Sequence, residues 1–155
     1  MDDMRRVRVK WENPVRLDSI LRLNSDDDYG LYQIYCHHVV FGPGSLVYIG
    51  KAIEQTFAAR FKQHEVDWLS EENDITIRVG RLFRDDYAKD NDWRDWKKLL
   101  TDTEALLIHW HSPPYNSQHI SDYRGQGLHA QNWGNRGSIL PECTSAWDAR
   151  RPREE

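Results

Sequence analysis

The feature that most constrains the fold of this chain is a turn rich in glycine and proline between two segments rich in β-branched and aromatic residues. The turn covers residues 41–45, with the sequence Phe-Gly-Pro-Gly-Ser, and the flanking segments cover residues 30–38 and 46–51. Turn residues of this kind between two segments of high β propensity are typical of an antiparallel hairpin. We therefore predict that both segments are neighbouring strands of one sheet.

The segment after the hairpin predicts a helix, a third strand and a second helix. Thr56 is a suitable N-cap, and apolar residues recur at helical spacing from residue 57 to about residue 70. Residues 75–83 have the composition of a strand. Tryptophan and leucine mark helical structure over residues 93–110, and Pro113-Pro114 ends it. These elements predict an α+β fold with a small three-stranded antiparallel sheet flanked by helices.

Length and composition indicate one globular domain with an extension at each end. The chain has 155 residues, of which 39% are hydrophobic, so it can bury a modest core and has little room for a second domain. Residues 1–28 are predicted to be an N-terminal extension made of a strand and a short helix. Residues 121–155 are predicted to be a polar C-terminal extension with little periodicity. The central domain is therefore placed at residues 29–120.

The charge balance limits how this chain could bind nucleic acid. There are 21 Lys and Arg against 25 Asp and Glu, a formal net charge of -4, which argues against coating nucleic acid through bulk positive charge. Any basic surface must be local. In the N-terminal extension, Arg6, Arg8 and Lys10 alternate with apolar residues. A second basic group lies in and after the third strand: Arg78, Arg81 and Arg84. For each group, phosphate contact and an ordinary solvated strand face both stay open.

The sequence has none of the signals of a membrane protein or a secreted protein. It contains no run of about 18 apolar residues, and its first residues lack the apolar stretch of a secretory signal. Cys36 and Cys143 have neither the spacing of a zinc site nor the pattern of a disulfide framework, so both are expected to be free thiols. We expect a soluble, cytoplasmic protein without membrane function.

Six sequence elements follow one another along the central domain. Two are tripeptides, Gly30-Leu31-Tyr32 and Tyr48-Ile49-Gly50. Four are single residues: Arg60, His64, Glu104 and Asn116. Each is weak alone, but in this order they resemble the signature of the GIY-YIG nuclease family, with Leu31 in place of isoleucine as a conservative departure. The resemblance implies a GIY-YIG endonuclease-like fold over residues 29–120 and a metal-dependent endonuclease that hydrolyses phosphodiester bonds of DNA.

Three residues of the signature carry groups suited to this reaction. Arg60 and His64 are four positions apart on the predicted helix, so one face presents a guanidinium for the phosphate charge and an imidazole for proton transfer. Glu104 lies at the edge of an apolar stripe, where a lone carboxylate is costly unless it is paired. It is either a ligand of Mg²⁺ (or Mn²⁺) or the partner of Arg60 or a lysine, and the resemblance favours the metal.

The tyrosines of the two tripeptides also have two interpretations. A tyrosine in a strand usually packs against a half-buried sheet face. The resemblance implies instead that Tyr32 and Tyr48 both line the active site, and that one of them helps to deprotonate the attacking water. We predict Tyr32 as the base, with His64 taking up the proton, and keep Tyr48 as the less favoured base.

Three further residues are expected near the substrate. Gly50 would allow close backbone approach, Lys51 would add positive charge next to the phosphate, and Asn116 would tie its loop to the active-site region. An ordinary surface lysine is the alternative for Lys51. DNA is the expected partner, RNA is not excluded, and a homodimer or a protein partner could supply specificity. The alternative function is a non-catalytic module on the same fold that binds nucleic acid or another protein.

Overall fold

A computed structural model describes residues 4–69, 72, 74–84 and 93–146. These residues form six strands and three helices, numbered here in chain order. The strands are β1 (Arg5–Trp11), β2 (Gly30–His38), β3 (Gly42–Ala52), β4 (Thr76–Arg84), β5 (Leu128–Gly134) and β6 (Glu142–Thr144), and the helices are α1 (Leu17–Ile20), α2 (Phe57–Asp67) and α3 (Trp93–His111). Residues 1–3 and 147–155, which belong to the two predicted extensions, lie outside the described residues.

All six strands belong to one curled sheet in the order β3-β2-β4-β1-β5-β6. The sheet is mixed, because β1 is antiparallel to β4 and parallel to β5, whereas the other neighbours are antiparallel. The prediction of a small three-stranded antiparallel sheet is therefore wrong. The three predicted strands form one side of the sheet, β3-β2-β4, and strands from both terminal extensions form the other side.

β1 is the strand that enlarges the sheet. Its side chains alternate, with Val7, Val9 and Trp11 buried and the residues between them exposed. Both of its edges are paired, and the indole Nε1–H of Trp11 donates to the buried Asn132 Oδ1 in β5 at 3.0 Å. The two residues are 121 positions apart. A pairing at such a separation leaves no local pattern in the sequence, which is why the sheet was predicted too small.

Helices cover the two faces of the sheet with separate apolar clusters. On one face, α3 packs through Leu100 and Leu106 against a cluster that includes Leu31 and Ile49. On the other face, α1 and α2 cover a cluster that includes Tyr32, Ile34, Phe57, Phe61 and Ile77. Leu31 and Tyr32 belong to different clusters because successive side chains of a strand point to opposite faces.

Several local predictions are confirmed. β2 and β3 form the predicted hairpin, from Gly30 opposite Ala52 to His38 opposite Gly42. Thr56 caps α2, since its Oγ1 accepts a hydrogen bond from the backbone N–H of Ala59 at 3.1 Å. The two cysteines are free thiols, as expected, and both are buried. Within the described residues, no helix has both the length and the apolar character needed to cross a lipid bilayer.

Candidate active site

Side chains from both faces of the sheet meet at the outer edge of β3. Tyr48 and Arg60 approach from the side of α2, whereas Lys51 and Glu104 approach from the side of α3. They line a cavity of about 340 Å³. The other lining residues are Ile53, Gln55, Ile108, Asn116, Ser117, Gln118 and His119. Because β3 is the first strand of the sheet order, the cavity lies where the two covered faces come together.

Tyr32, Arg60 and His64 form a hydrogen-bond network behind the cavity. The Tyr32 hydroxyl oxygen lies 2.5 Å from His64 Nε2, and Arg60 Nε donates to the same oxygen at 3.2 Å. The indole Nε1–H of Trp68 donates to His64 Nδ1 at 3.2 Å. An indole N–H can only donate, so Nδ1 is unprotonated and the proton of the neutral imidazole is on Nε2. His64 therefore donates to Tyr32, whose oxygen accepts from two donors.

Burial keeps both members of the Tyr32 and His64 pair neutral. His64 is 5% exposed, and burial, together with the charge of Arg60, lowers its pKa from 6.5 to about 4. Burial raises the pKa of Tyr32 well above its usual value, with a further rise from Tyr48, although Arg60 acts in the opposite direction. In this tautomer His64 has no nitrogen free to take the Tyr32 proton, because Nε2 is protonated and Nδ1 accepts from Trp68.

Tyr48 is the phenol that faces the cavity. Its ring stacks against that of Tyr32 with centroids 6.1 Å apart. Tyr48 is half-buried and belongs to the cavity lining, whereas Tyr32 is fully buried behind it. Burial raises the pKa of Tyr48, and the charge of Arg60 opposes this rise. Of the two tyrosines considered as the base, Tyr48 is therefore the one in contact with the space that a substrate would occupy.

Glu104 forms an ion pair with Lys51 on the opposite wall of the cavity. Lys51 Nζ donates to Glu104 Oε1 at 3.3 Å. Glu104 is 9% exposed, and burial raises the pKa of its carboxyl group while the charge of Lys51 acts against this rise. Pairing with a lysine is one of the two interpretations of Glu104 given above. The role of Glu104 as a metal ligand stays a prediction.

The donor set of the cavity allows one kind of metal site. Among the described residues there is no group of three or more His, Cys, Asp or Glu side chains that could hold an ion. Glu104 is the carboxylate of the cavity lining. Mg²⁺ is commonly bound by one or two carboxylates, keeps several waters and contacts substrate phosphate. The residues therefore fit an ion that Glu104 would hold with water and phosphate, and they do not fit an ion enclosed by protein ligands.

Asn116 and Gly50 shape the edge of β3 at the cavity. The Asn116 side chain accepts from the backbone N–H of Ile49 and donates to the backbone carbonyl of Ile49, both at 2.9 Å. It thereby satisfies two backbone groups on the outer edge of the sheet. A Cβ atom on Gly50 would overlap the ring of Tyr32. Glycine at this position therefore lets the buried phenol lie against the backbone of β3.

His119 is a cavity residue that sequence reasoning missed. It lies in the segment after α3, and its backbone φ of 65° is in the left-handed region, which is uncommon for residues other than glycine. A positive charge on this side chain would lower the pKa of Glu104, against the effect of burial and behind the larger effect of Lys51. The segment has no periodic pattern, so nearness to Asn116 in the sequence was the one signal that could have identified it.

The structure brings the eight residues predicted from the sequence to one place. Five line the cavity: Tyr48, Lys51, Arg60, Glu104 and Asn116. Of the other three, Tyr32 and His64 lie directly behind the cavity, and Gly50 lies in β3 against the Tyr32 ring. Comparison of the chain with protein-family models, with curated proteins and with solved structures gives no match. The resemblance to GIY-YIG nucleases therefore rests on the signature residues.

Proposed function

We propose that the protein is a metal-dependent endonuclease that hydrolyses phosphodiester bonds of DNA. One observation carries the proposal: a phenol, a guanidinium and a carboxylate from β3, α2 and α3 line the same cavity. Each side chain also has a structural contact, but the contacts of Tyr48 with Tyr32 and of Glu104 with Lys51 do not require a phenol, a guanidinium and a carboxylate to share one cavity. Hydrolysis of a phosphodiester uses all three, to activate water, to neutralise charge and to bind a cation.

Arg60 is the group that would stabilise the charge of the transition state. Its Nε is held by the Tyr32 oxygen at 3.2 Å, and one terminal nitrogen is held by Gln63 Oε1 at 2.9 Å. A guanidinium fixed in this way is oriented before the substrate arrives, so it needs no reorganisation as charge develops on the phosphate. Tyr32 and, through it, His64 are positioning residues in this proposal.

Glu104 would hold Mg²⁺ or Mn²⁺ on the other wall. When bound, the ion supplies Lewis-acid stabilisation of the scissile phosphate. Lys51 pairs with Glu104 at 3.3 Å and adds a second positive charge to the same wall. The charge of Lys51 opposes the effect of burial on the pKa of Glu104 and so favours the ionised carboxylate, which is the form that binds a cation.

Tyr48 replaces Tyr32 as the base in this proposal, because Tyr48 faces the cavity and the Tyr32 oxygen is occupied by His64 and Arg60. The Tyr48 phenolate takes a proton from water, the water oxygen bonds to phosphorus, and the opposite P–O bond breaks with its electron pair on the leaving oxygen. Because burial raises the pKa of Tyr48, the phenolate fraction at neutral pH is small. The cleavage rate should therefore rise with pH.

The test is cleavage of supercoiled plasmid and of branched DNA by the purified protein with Mg²⁺ or Mn²⁺. Glu104→Gln keeps the shape of the side chain and removes its charge, so cleavage should be lost. Glu65→Gln makes the same change on α2 outside the cavity and should cut as the unmodified protein does. Tyr48→Phe should lose cleavage more completely than Tyr32→Phe, in which Arg60 loses an orienting partner.

A folded protein that cuts none of these substrates would overturn the proposal. If that protein still bound nucleic acid or another protein, the alternative of a non-catalytic binding module would replace the nuclease. If Glu104→Gln cuts as the unmodified protein does, Glu104 is not the metal ligand, although the cleavage reaction itself stands. Cleavage that survives Tyr48→Phe but not Tyr32→Phe would return the role of the base to Tyr32.

A further inference from the structure

The sheet has a region that the described helices leave uncovered. On the face of α1 and α2, the apolar cluster beneath these helices contains residues of β2, β3 and β4 and none of β1 or β5. The same face continues across β1 and β5 as exposed side chains. We name this region the basic face, and its residues are Arg6, Arg8 and Lys10 of β1, Phe83 of β4, and Gln131 and Trp133 of β5.

Strand register places cations and aromatic rings side by side on the basic face. Lys10 lies opposite Trp133, and its Nζ is 5.1 Å from the centroid of the indole ring. Arg8 lies opposite Gln131 on one side and Phe83 on the other. Trp133 is 43% exposed and Phe83 is 46% exposed, so both rings present area to solvent although they belong to central strands of the sheet.

Two cations of the basic face, Arg6 and Lys10, carry charge that the described residues leave available to an outside partner. Among the described residues, Arg6 and Lys10 take part in no ion pair. Arg81, the neighbour of Lys10 in β4, differs because Glu12 and Asp28 neutralise it. At the far side of the face, the exposed Glu142 of β6 lies opposite Gln131. Arg6 and Lys10 therefore add positive charge to this face, although the whole chain has a net charge of -4.

We infer that the basic face binds single-stranded nucleic acid, with its phosphates on Arg6 and Lys10 and unpaired bases against Trp133 and Phe83. Exposed aromatic rings beside cations suit an unpaired strand, because its bases have free faces that stack on rings while its backbone contacts the charges. Paired bases inside a duplex offer no such faces. An acidic peptide would use the cations and leave the rings without a partner.

This surface is distinct from the cavity at β3. Two strands, β2 and β4, separate β3 from β1, which corresponds to roughly 14 Å across the sheet at the usual strand spacing. Binding at the basic face does not require cleavage, so it can be measured without a divalent metal. The inference would therefore survive the failure of the proposed nuclease activity, and the nuclease could be active without it.

The test is the fluorescence anisotropy of labelled oligothymidine, about 15 nucleotides long, titrated with the full chain in EDTA at several salt concentrations. The double variant Arg6→Gln/Lys10→Gln should weaken binding and lower the salt dependence by about 0.7 in log–log slope for each phosphate that is no longer neutralised. Trp133→Leu should weaken binding roughly five-fold or more, and Trp133→Phe should restore part of it.

Two control variants on α3 match these changes on the opposite face of the sheet. Trp93 is 43% exposed, as Trp133 is, and Lys98 is an exposed lysine. Trp93→Leu and Lys98→Gln should bind as the unmodified protein does. Thermal unfolding shows which variants are folded. If Trp133→Leu does not fold, the double variant Arg6→Gln/Lys10→Gln still tests the inference.

The inference is overturned by any of four results: no binding at low salt, equal loss in the α3 controls, tighter binding of a duplex of the same length, or equally effective competition by polyglutamate. The first shows that the face is not a nucleic-acid site. The second places binding elsewhere, the third shows that unpaired bases are not recognised, and the fourth shows that the site reads only negative charge.

Discussion

The neutral, buried state of His64 should make folding stability depend on pH. The pKa of His64 is about 4 in the folded protein, against 6.5 for an exposed histidine, because burial and the charge of Arg60 disfavour the imidazolium. The unfolded chain therefore binds more protons at this position between these two pH values. The stability that neutral His64 contributes is complete above pH 6.5 and is lost as the pH falls towards 4.

The size of this effect follows from the difference between the two pKa values. Each pKa unit corresponds to about 1.4 kcal/mol, so the shift is worth about 3 kcal/mol between neutral pH and pH 4. His64→Gln removes the titrating group and keeps a polar side chain of similar reach. The variant should be less stable at neutral pH, because it loses bonds to Tyr32 and Trp68, but its stability should fall less on acidification.

The assay is urea unfolding at pH values from about 7.5 to 4, with tryptophan fluorescence as the signal and the free energy of unfolding compared between the two proteins. Burial also lowers the pKa of His111 and raises that of Glu104, but both groups are present in both chains and their effects largely cancel in the difference. Parallel curves for the two proteins would refute the reasoning. So would a nitrogen NMR spectrum that shows the His64 proton on Nδ1 at neutral pH.

Substitutions at three further positions test the packing and hydrogen bonds around the cavity by urea unfolding at neutral pH. Gly50→Ala should cost about 1–3 kcal/mol, because the new Cβ overlaps the Tyr32 ring, and a cost near zero would show that this close approach is absent. Asn116→Ala should cost about 2 kcal/mol, because both hydrogen bonds of the side chain to the Ile49 backbone are lost. Asn116→Asp keeps only the acceptor, so recovery of stability in this variant would show that the bond from the Ile49 N–H is the one that matters. Thr56→Ala should cost about 1 kcal/mol through the lost N-cap, whereas Thr56→Ser should be close to neutral, and equal losses in both would contradict the capping role.

The residues of the candidate site could be predicted from the sequence because they follow one another in a recognisable order. The order of the signature singles out Tyr48, Arg60 and Glu104, and the structure places them in one cavity. Which tyrosine faces that cavity was not accessible, because the answer depends on the side chains packed around each ring. The tautomer of His64 likewise depends on Trp68, whose indole faces Nδ1 only in the folded chain.

The polar members of β5 show why the C-terminal extension was not recognised as part of the sheet. Leu128, Ala130 and Asn132 are its buried positions, and an asparagine at a buried position breaks the apolar alternation that marks a strand. Asn132 is accommodated because its side chain accepts from Trp11 and donates to the carbonyl oxygen of Leu140. The Trp11 donor is 121 positions away, so no window of sequence around Asn132 contains both of its partners.

Local sequence determined the elements of this protein, whereas tertiary structure determined how they assemble. The hairpin turn, the Thr56 cap and the helical spacing of apolar residues act within a few positions, so they could be read directly. The order of the sheet, the parallel pairing of β1 with β5 and the uncovered basic face depend on contacts between distant segments. Such contacts are selected by the burial and hydrogen bonding of the whole chain, and only the folded structure shows which of them form.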